Sequence, residues 1–198
     1  MFPLFESICI KEGKILNANW HEKRFKKSYE NFYSKKAKFK LVEKISIPYF
    51  YKKGLVKLKI FYNENGKEIQ FKKYIKAEIN SIKIINSDSL DYKLKYSNRE
   101  DLNKLFKFRG PCDDILIVRN GKITDSLYAN VVFYDGKSWI TPEVPLLRGT
   151  CRDRLITEGK IEPRDLTLKE LKNFKGVKLI NAMRDLDQNL IPINKIIF

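Results

Sequence analysis

The sequence predicts an α+β protein made of two domains. Its first part combines β-rich runs with one helical pattern, in which Phe25, Tyr29 and Phe32 recur at helical spacing. Further along, two turn signals between β-rich runs, Asn120-Gly121 and Asp135-Gly136, predict three consecutive strands. Strands and helices in mixed order, without a regular βα repeat, indicate the α+β class.

Local patterns predict the elements of the first domain in chain order. A Lys-Glu-Gly turn predicts a hairpin of Phe5–Ile10 and Lys14–Leu16. Asn19 is the predicted N-cap of the helix that follows. The turn at residues 63–66 predicts a second hairpin, of Leu55–Tyr62 and Lys67–Tyr74.

The polar stretch Asn86–Lys93 is the predicted junction between a domain of residues 1–86 and a domain of residues 87–198. The second domain is expected to begin with a helix capped by Ser97 and to continue with the three strands. A helix over Arg148–Glu158 and a buried strand over Val177–Ile180 complete the prediction. A cleft between two such domains is the default position of a ligand site.

The composition fits a globular protein of the cytoplasm. Of 198 residues, 43% are hydrophobic and 13% aromatic, which is enough apolar material for a core. No apolar run approaches the roughly 20 residues that cross a bilayer, so no membrane partner is expected. The amino terminus has no basic segment and its apolar run breaks at Glu6, which predicts no signal peptide. The three cysteines lack metal-type spacing and are expected to be reduced thiols.

The net charge of +16 raises the question of an anionic partner. The excess charge is mainly lysine spread along the whole chain, and neither a Cys/His finger nor a basic helix with a heptad tail accompanies it. We therefore expect no nucleic-acid partner and favour a small anionic substrate or cofactor.

The available side chains limit the chemistry. His21 is the single histidine, which argues against histidine triads and metal sites, and neither GxGxxG nor a P-loop occurs. Gly149-Thr150 precedes a predicted helix, whose first N–H groups are suited to a phosphate. Acid–base work therefore falls to Lys, Tyr, Asp or Glu, or to a bound cofactor.

Four segments in order resemble the fold-type IV pyridoxal-phosphate (PLP) enzymes, the class IV aminotransferase family. They are F-E-S-I-C-I-K-E-G-K-I with W-H-E-K-R-F, then L-K-Y-S-N-R, then G-K-I-T-D-S-L-Y-A-N-V-V-F, and finally T-P with L-L-R-G-T-C-R. The Lys-x-x-Asn-Arg pattern and a later N-A-M-R resemble the 4-amino-4-deoxychorismate lyase branch most. The resemblance implies a small amino-terminal α/β domain and a barrel-like carboxy-terminal α/β domain.

The resemblance also implies roles for individual residues. Lys95 would form the Schiff base with PLP and move the proton at the reacting carbon. Arg24 would bind the cofactor phosphate, and Ser7 falls at a substrate-pocket position of the lyase branch. From the pattern alone, Lys95 could be one more solvated lysine and Arg24 a surface charge on a lysine-rich helix, and Lys93 competes with Lys95 if the register slips.

The remaining cofactor residues implied by the resemblance belong to the second half of the chain. Asp125 would pair with the pyridine nitrogen, where the family usually has Glu; the pattern alone also allows a solvent-facing turn acid. The phosphate would be enclosed by a further set of residues: Gly149, Thr150, Cys151, Asn181 and Ala182.

The function that the resemblance implies is a lyase that converts 4-amino-4-deoxychorismate to 4-aminobenzoate and pyruvate, in folate precursor synthesis. The alternatives are a branched-chain or D-amino-acid aminotransferase of the same family, or a degenerate member that binds the cofactor without catalysis. The family also implies a small anionic amino substrate and a homodimer.

Overall fold

The computed structural model describes all residues from Met1 to Phe198, and the chain forms two compact units. The first unit contains Met1–Lys76 and the short segment Leu94–Asn98. The second contains Ala77–Lys93 and Arg99–Phe198. No helix is both long enough and apolar enough to cross a bilayer.

The first unit is a four-stranded sheet packed against one long helix. The strands follow the order β2-β1-β3-β4, and all neighbours are antiparallel. The elements are β1 (Leu4–Lys11), β2 (Lys14–Ile15), α1 (Ala18–Tyr33), β3 (Leu55–Asn63) and β4 (Gly66–Lys73).

Strand alternation separates the two faces of this sheet. Leu4, Ile8 and Ile10 of β1 are fully buried with Phe25 and other apolar side chains in one core. The next residues along each strand point to the opposite face, because successive side chains of a strand alternate. The core face therefore receives α1, and the other face carries the intervening residues.

The helix α1 begins earlier than predicted. Its first residue is Ala18, and its N-cap is Asn17 rather than Asn19. Asn17 has a φ of 54°, a left-handed conformation that Asn tolerates better than most residues. This conformation turns the chain out of β2 at once, so the observed cap lies two residues before the predicted one.

The segment between α1 and β3 is held by an ammonium group. Lys67 Nζ on β4 donates hydrogen bonds to the carbonyls of Lys40 at 2.9 Å, Leu41 at 2.7 Å and Glu43 at 3.0 Å. These contacts anchor a stretch that has little regular structure, and Leu41 within it is fully buried.

The second unit is built on a mixed nine-stranded sheet. The path runs β10-β9-β8-β7-β6-β5-β13; β11 pairs with β8 and β12 pairs with β11. The strands are β5 (Ile82–Asn86), β6 (Asp114–Arg119), β7 (Lys122–Ser126), β8 (Asn130–Tyr134), β9 (Trp139–Pro142), β10 (Glu162–Arg164), β11 (Gly176–Ile180), β12 (Ile191–Pro192) and β13 (Ile196–Ile197).

Two short α-helices and several 3-10 helices complete the structure. The α-helices are α2 (Glu100–Phe106) and α3 (Thr150–Thr157). The 3-10 helices are Tyr49–Tyr51, Lys107–Arg109, Leu168–Asn173 and Ile193–Lys195.

The prediction of three strands in the middle of the chain is wrong in one respect. The run expected to be a single middle strand divides into β7 and β8, because the chain turns at residues 127–129. Asp125 and Asn130 become antiparallel partners across this turn. The turn is closed by a hydrogen bond from the Ser126 N–H to the Ala129 carbonyl at 2.8 Å.

The predicted α+β class with two parts is confirmed. The observed division differs from the expected boundary between residues 86 and 87. Strand β5 belongs to the second unit because it pairs in parallel with β6, and Leu94 belongs to the first because it packs in that core. Lys95 therefore lies in the first unit and not, as expected, in the second.

Candidate active site

A buried carboxylate organises the charged residues of the first unit. Glu6 lies on β1 between Leu4 and Ile8 in the core-facing row, and its side chain is fully buried. It accepts hydrogen bonds from Arg24 Nε at 2.8 Å and from Arg24 Nη2 at 2.5 Å. Its Oε2 also lies 2.7 Å from His21 Nδ1. Helix α1 supplies both partners, since residues three apart share one helix face.

Opposing effects act on the pKa values in this cluster. Burial raises the pKa of Glu6, but the Arg24 charge and the hydrogen bonds from His21 and Arg24 outweigh it and lower the pKa to about 2. Burial lowers the pKa of His21 below its ordinary value, although the hydrogen bond to Glu6 acts to raise it. Near pH 7 a neutral His21 therefore donates its Nδ1 proton to a charged Glu6. The two hydrogen bonds that Arg24 donates to Glu6 fix the orientation of its planar guanidinium.

Lys95 is attached to β1 by its own backbone. Its carbonyl accepts the N–H of Phe5 at 3.1 Å, and the next residue, Tyr96, forms a β-bridge with Leu4. The ammonium group lies over the Phe5 ring, 4.8 Å from its centroid. The Lys95 charge is among those that lower the pKa of His21, so Lys95 and the Glu6 cluster share one electrostatic environment.

The competing lysine has different surroundings. Lys93 belongs to the second unit and its side chain is 73% exposed, with an ion pair to Asp91 at 3.6 Å. Lys95 is half-buried. The two positions are thus structurally distinct although they are only two residues apart.

Ser7 lies on the face of β1 opposite to Glu6. It is half-buried and pairs directly across the sheet with Lys59 of β3. The structure thus places Ser7 in the same row of β1 as Phe5, whose ring contacts the Lys95 ammonium.

A second buried carboxylate lies in the second unit. Asp125 on β7 is 5% exposed; its Oδ1 accepts a hydrogen bond from Asn130 Nδ2 at 2.8 Å, and its Oδ2 accepts one from the Leu147 N–H at 2.9 Å. Burial raises its pKa from 3.8 to about 7, although these hydrogen bonds and the Arg152 charge oppose the rise. The alternative of a solvent-facing turn acid does not fit this burial.

Asn130 connects Asp125 to the start of α3. The same Nδ2 group that contacts Asp125 donates to the carbonyl of Leu147 at 2.8 Å. A Cβ atom on Gly149, the N-cap of α3, would lie only 1.9 Å from Asn130 Oδ1. The glycine is required here for close approach rather than for its backbone angles, since its φ is −75°.

The start of α3 lies beside a tight turn that follows β11. Residues Asn181 and Arg184 exchange backbone hydrogen bonds at 2.9 and 3.1 Å, with Ala182 inside the turn. Cys151 Sγ lies 3.8 Å from the Arg184 carbonyl. The structure therefore brings the predicted residues of α3 and of this turn together within the second unit.

Arg99, four residues after Lys95, braces the turn between β7 and β8. Its Nη2 donates to the Leu127 carbonyl at 2.6 Å, and its Nη1 donates to the Tyr92 hydroxyl at 2.8 Å. Its guanidinium also lies 4.5 Å from the centre of the Tyr128 ring. This arginine supports the strand pair that carries Asp125.

Sequence reasoning missed Glu6 as a functional residue, although a signal for it was available. Alternation along β1 places Glu6 in the row of Leu4, Ile8 and Ile10, which faces the core. A buried carboxylate requires a cationic or hydrogen-bonding partner, and the next helix supplies Arg24. The contact of Asn130 with both Asp125 and the Leu147 carbonyl depends on the path of the loop before α3, and no sequence pattern indicated it.

The stability of the ligand-free protein should depend on pH through Asp125. Because its folded pKa lies above its unfolded value, the folded state is favoured when Asp125 is protonated, and that advantage is lost as pH rises from about 4 to about 7. The Asp125→Asn variant lacks this titration. The difference in unfolding free energy between wild type and variant should change by about 4 kcal/mol over that range. Urea titrations at several pH values would test this, and a pH-independent difference would contradict it.

Gly149→Ala should destabilise the protein by about 1–3 kcal/mol, because the added methyl group overlaps Asn130 Oδ1. Asn130→Ala removes the overlapping atom, so the double variant should be less destabilised than the sum of the two single variants. Urea unfolding of the four proteins in this mutant cycle measures the coupling. Simple additivity would show that the contact does not govern the effect.

The family model for amino-transferase class IV matches residues 3–196, and the chain belongs to this family. An uncharacterised protein of Haemophilus influenzae is 41% identical over 188 residues, which cover 94% of this chain and 100% of that protein. A proposed 4-amino-4-deoxychorismate lyase from Haemophilus somnus has a similar structure, with a TM-score of 0.83 and 34% identity over 94% of this chain and 98% of that chain.

A proposed amino-acid aminotransferase from Mesorhizobium loti has a TM-score of 0.78 and 20% identity, over 97% of this chain and 98% of that chain. At this identity the likeness shows the fold alone. Members of the class IV family are PLP-dependent enzymes, and the predictions of an enzyme and of PLP as its cofactor are confirmed at that level.

Proposed function

We propose that the chain is a PLP-dependent lyase that converts 4-amino-4-deoxychorismate to 4-aminobenzoate and pyruvate, in the synthesis of the folate precursor. The observation that carries the proposal is the segment Lys95–Arg99, with the lysine context of the lyase branch. It occurs in a chain that is 34% identical to the proposed lyase from Haemophilus somnus.

The residues of the second unit fit PLP. Asp125 is buried, and a carboxylate accepts about four hydrogen bonds, so it can receive a ring N–H beside its contacts with Asn130 and Leu147. A cationic ring nitrogen would favour the charged form of Asp125, against the burial that raises its pKa to about 7.

The start of α3 fits the cofactor phosphate. The first N–H groups of a helix have no partner within the helix, and those of Thr150 and Cys151 follow a glycine that holds the backbone against Asn130. Asn181 and Ala182 would border the phosphate from the adjacent turn, with Gly149 at the base of the helix.

Arg24 would add a fixed positive charge to the same phosphate. A guanidinium has five N–H donors, so it can bind a phosphate without breaking its contact with Glu6. Glu6, which is itself hydrogen-bonded to His21, holds the guanidinium in place, and this reduces the side-chain entropy lost on binding.

Lys95 would hold the cofactor through its amine and would move the proton at the reacting carbon of the substrate. PLP, when bound, withdraws electrons from the bond that breaks. The position of Lys95 over the Phe5 ring keeps its amine close to β1, and Ser7 on the same face would contact the substrate. The net charge of +16 favours an anionic amino substrate.

We also propose that the enzyme is a cytoplasmic homodimer. Its three cysteines are buried free thiols, which suits a reducing compartment. Dimerisation follows from the family resemblance, and analytical ultracentrifugation would test it.

Two measurements on the purified protein with PLP test the function. The first is the absorbance band of the bound cofactor, which borohydride should fix onto Lys95. The second is the release of 4-aminobenzoate from 4-amino-4-deoxychorismate. A protein that binds PLP but releases no 4-aminobenzoate would contradict the lyase proposal.

The second candidate is an aminotransferase for branched-chain or D-amino acids, which the fold shared with aminotransferases favours. It predicts that an amino acid converts the cofactor to its aminated form and that a keto acid reverses this change. The third candidate, a non-catalytic PLP-binding protein, is suggested by Asp125 in place of the usual Glu and predicts the absorbance band without turnover.

A further inference from the structure

The face of the first-unit sheet that lies opposite to α1 carries closely spaced ammonium groups. This face is formed by every second residue of β1 and β3, and the register pairs Phe5 with Phe61, Ser7 with Lys59, and Cys9 with Lys57. Lys59 and Lys57 are half-buried.

The Lys59 ammonium lies over two neighbouring aromatic rings. Its Nζ is 4.5 Å from the centroid of Phe5 and 4.3 Å from the centroid of Phe61, and the two rings are 5.8 Å apart. The Nζ of Lys95 is 4.8 Å from the same Phe5 centroid. Two ammonium groups thus share one ring, and Ser7 lies directly across the sheet from one of them.

The charge on this face is predominantly positive. Burial and the charge of Lys72 lower the pKa of Lys57, which precedes Lys59 on this face of β3. On the same face of β4, Glu68 is exposed and accepts a hydrogen bond from Gln70 at 2.8 Å. The buried Glu6 points to the opposite face, where Arg24 and His21 contact it. A carboxylate that binds near the Phe5 ring would therefore offset the mutual repulsion of two ammonium groups.

We infer that Lys59 is a substrate-binding residue that, with the Ser7 hydroxyl, binds a carboxylate of the substrate beside Lys95. The inference rests on the proposed function, in which Lys95 acts at the reacting carbon. Lys59 would provide a charge-assisted hydrogen bond and Ser7 a neutral one. The pair would select amino compounds that carry a carboxylate over their neutral analogues.

The test compares two ligands of nearly the same shape, one with a charged carboxylate and one with a neutral amide. The binding of 4-aminobenzoate and of 4-aminobenzamide to the PLP-loaded protein is measured by calorimetry. Wild type should bind the acid about tenfold more tightly than the amide, as expected for a charge-assisted contact. Lys59→Met should reduce this ratio to near one, and Lys59→Arg should restore part of it. Lys57→Met, which removes the same charge from the same face, should keep the wild-type ratio.

The inference is overturned if Lys59→Met keeps the preference for the acid, if Lys57→Met loses it equally, or if wild type shows none. Thermal melting identifies a variant that fails to fold, and Lys59→Arg then serves as the test. Turnover separates the two proposals. If the wild type releases no 4-aminobenzoate but still prefers the acid through Lys59, the lyase proposal is refuted and the inference of a carboxylate site is retained.

Discussion

Lys95→Ala should lower the catalytic rate by about 10³-fold or more, because it removes the amine proposed to hold PLP and to move the proton. The absorbance band that borohydride fixes should also disappear. Lys93→Ala is the matched control: it removes a lysine only two positions away, with a side chain that is 73% exposed and paired with Asp91. That variant should keep both the band and nearly full activity.

Steady-state kinetics, the absorbance spectrum and mass spectrometry of the borohydride-treated protein give independent readings of this result. Loss of activity in Lys93→Ala with retention in Lys95→Ala would reverse the assignment of the two lysines. If the absorbance band is unchanged in both variants, neither Lys95 nor Lys93 binds the cofactor.

Glu6→Gln should destabilise the protein by about 3–5 kcal/mol, the usual effect of removing one partner of a buried ion pair. The amide has nearly the same shape but leaves the Arg24 charge, whose side chain is only 13% exposed, without its carboxylate. Glu6 Oε2 accepts hydrogen bonds from His21 Nδ1 and Arg24 Nη2, and the substitution can replace this oxygen with an NH2 donor. Urea unfolding at pH 7 measures the loss.

The control is Glu68→Gln, at an exposed carboxylate on the same sheet, which should change stability by less than about 0.5 kcal/mol.

The stabilisation by Glu6 should also depend on pH. Its folded pKa of about 2 lies below the ordinary value of 4.5, so its stabilisation is complete above pH 4.5 and is lost as pH falls towards 2. A wild-type advantage that does not shrink in this range would contradict the role of the carboxylate charge.

Local patterns were sufficient to predict most of the fold. The hairpin of β3 and β4 follows from alternation and turn residues, and its bounds differ from the expected ones by one residue at most at each end. The cap of α1 was misplaced because Asn17 and Asn19 are equivalent as residues, and only the exit from β2 selects between them.

The division of the middle run into β7 and β8 could not be read from local propensity. Residues 127–129 contain no Gly or Pro, and the turn depends on contacts that sequence does not display. Arg99, distant in sequence, donates to the Leu127 carbonyl and packs on Tyr128. Tertiary contacts of this kind override a continuous β-rich pattern.

The position of Lys95 is a similar case. Its segment is polar and irregular, which suggested a place beyond the domain junction. Its assignment to the first unit depends on backbone hydrogen bonds between Phe5 and Lys95 and between Ser97 and Pro3, all of them distant in sequence. Motif order selected Lys95 as the candidate lysine but did not show which unit it belongs to.

The Asn130 side chain has a consequence for how this enzyme can change. Because one amide group contacts both Asp125 and the Leu147 carbonyl, and its oxygen abuts Gly149, a longer acid at position 125 would displace the loop before α3. A single exchange of Asp125 for the more usual glutamate should therefore be selected against. Laboratory evolution that recovers glutamate at 125 should recover compensating changes at residues 147–149 in the same clones, so these positions constrain one another as substitutions accumulate.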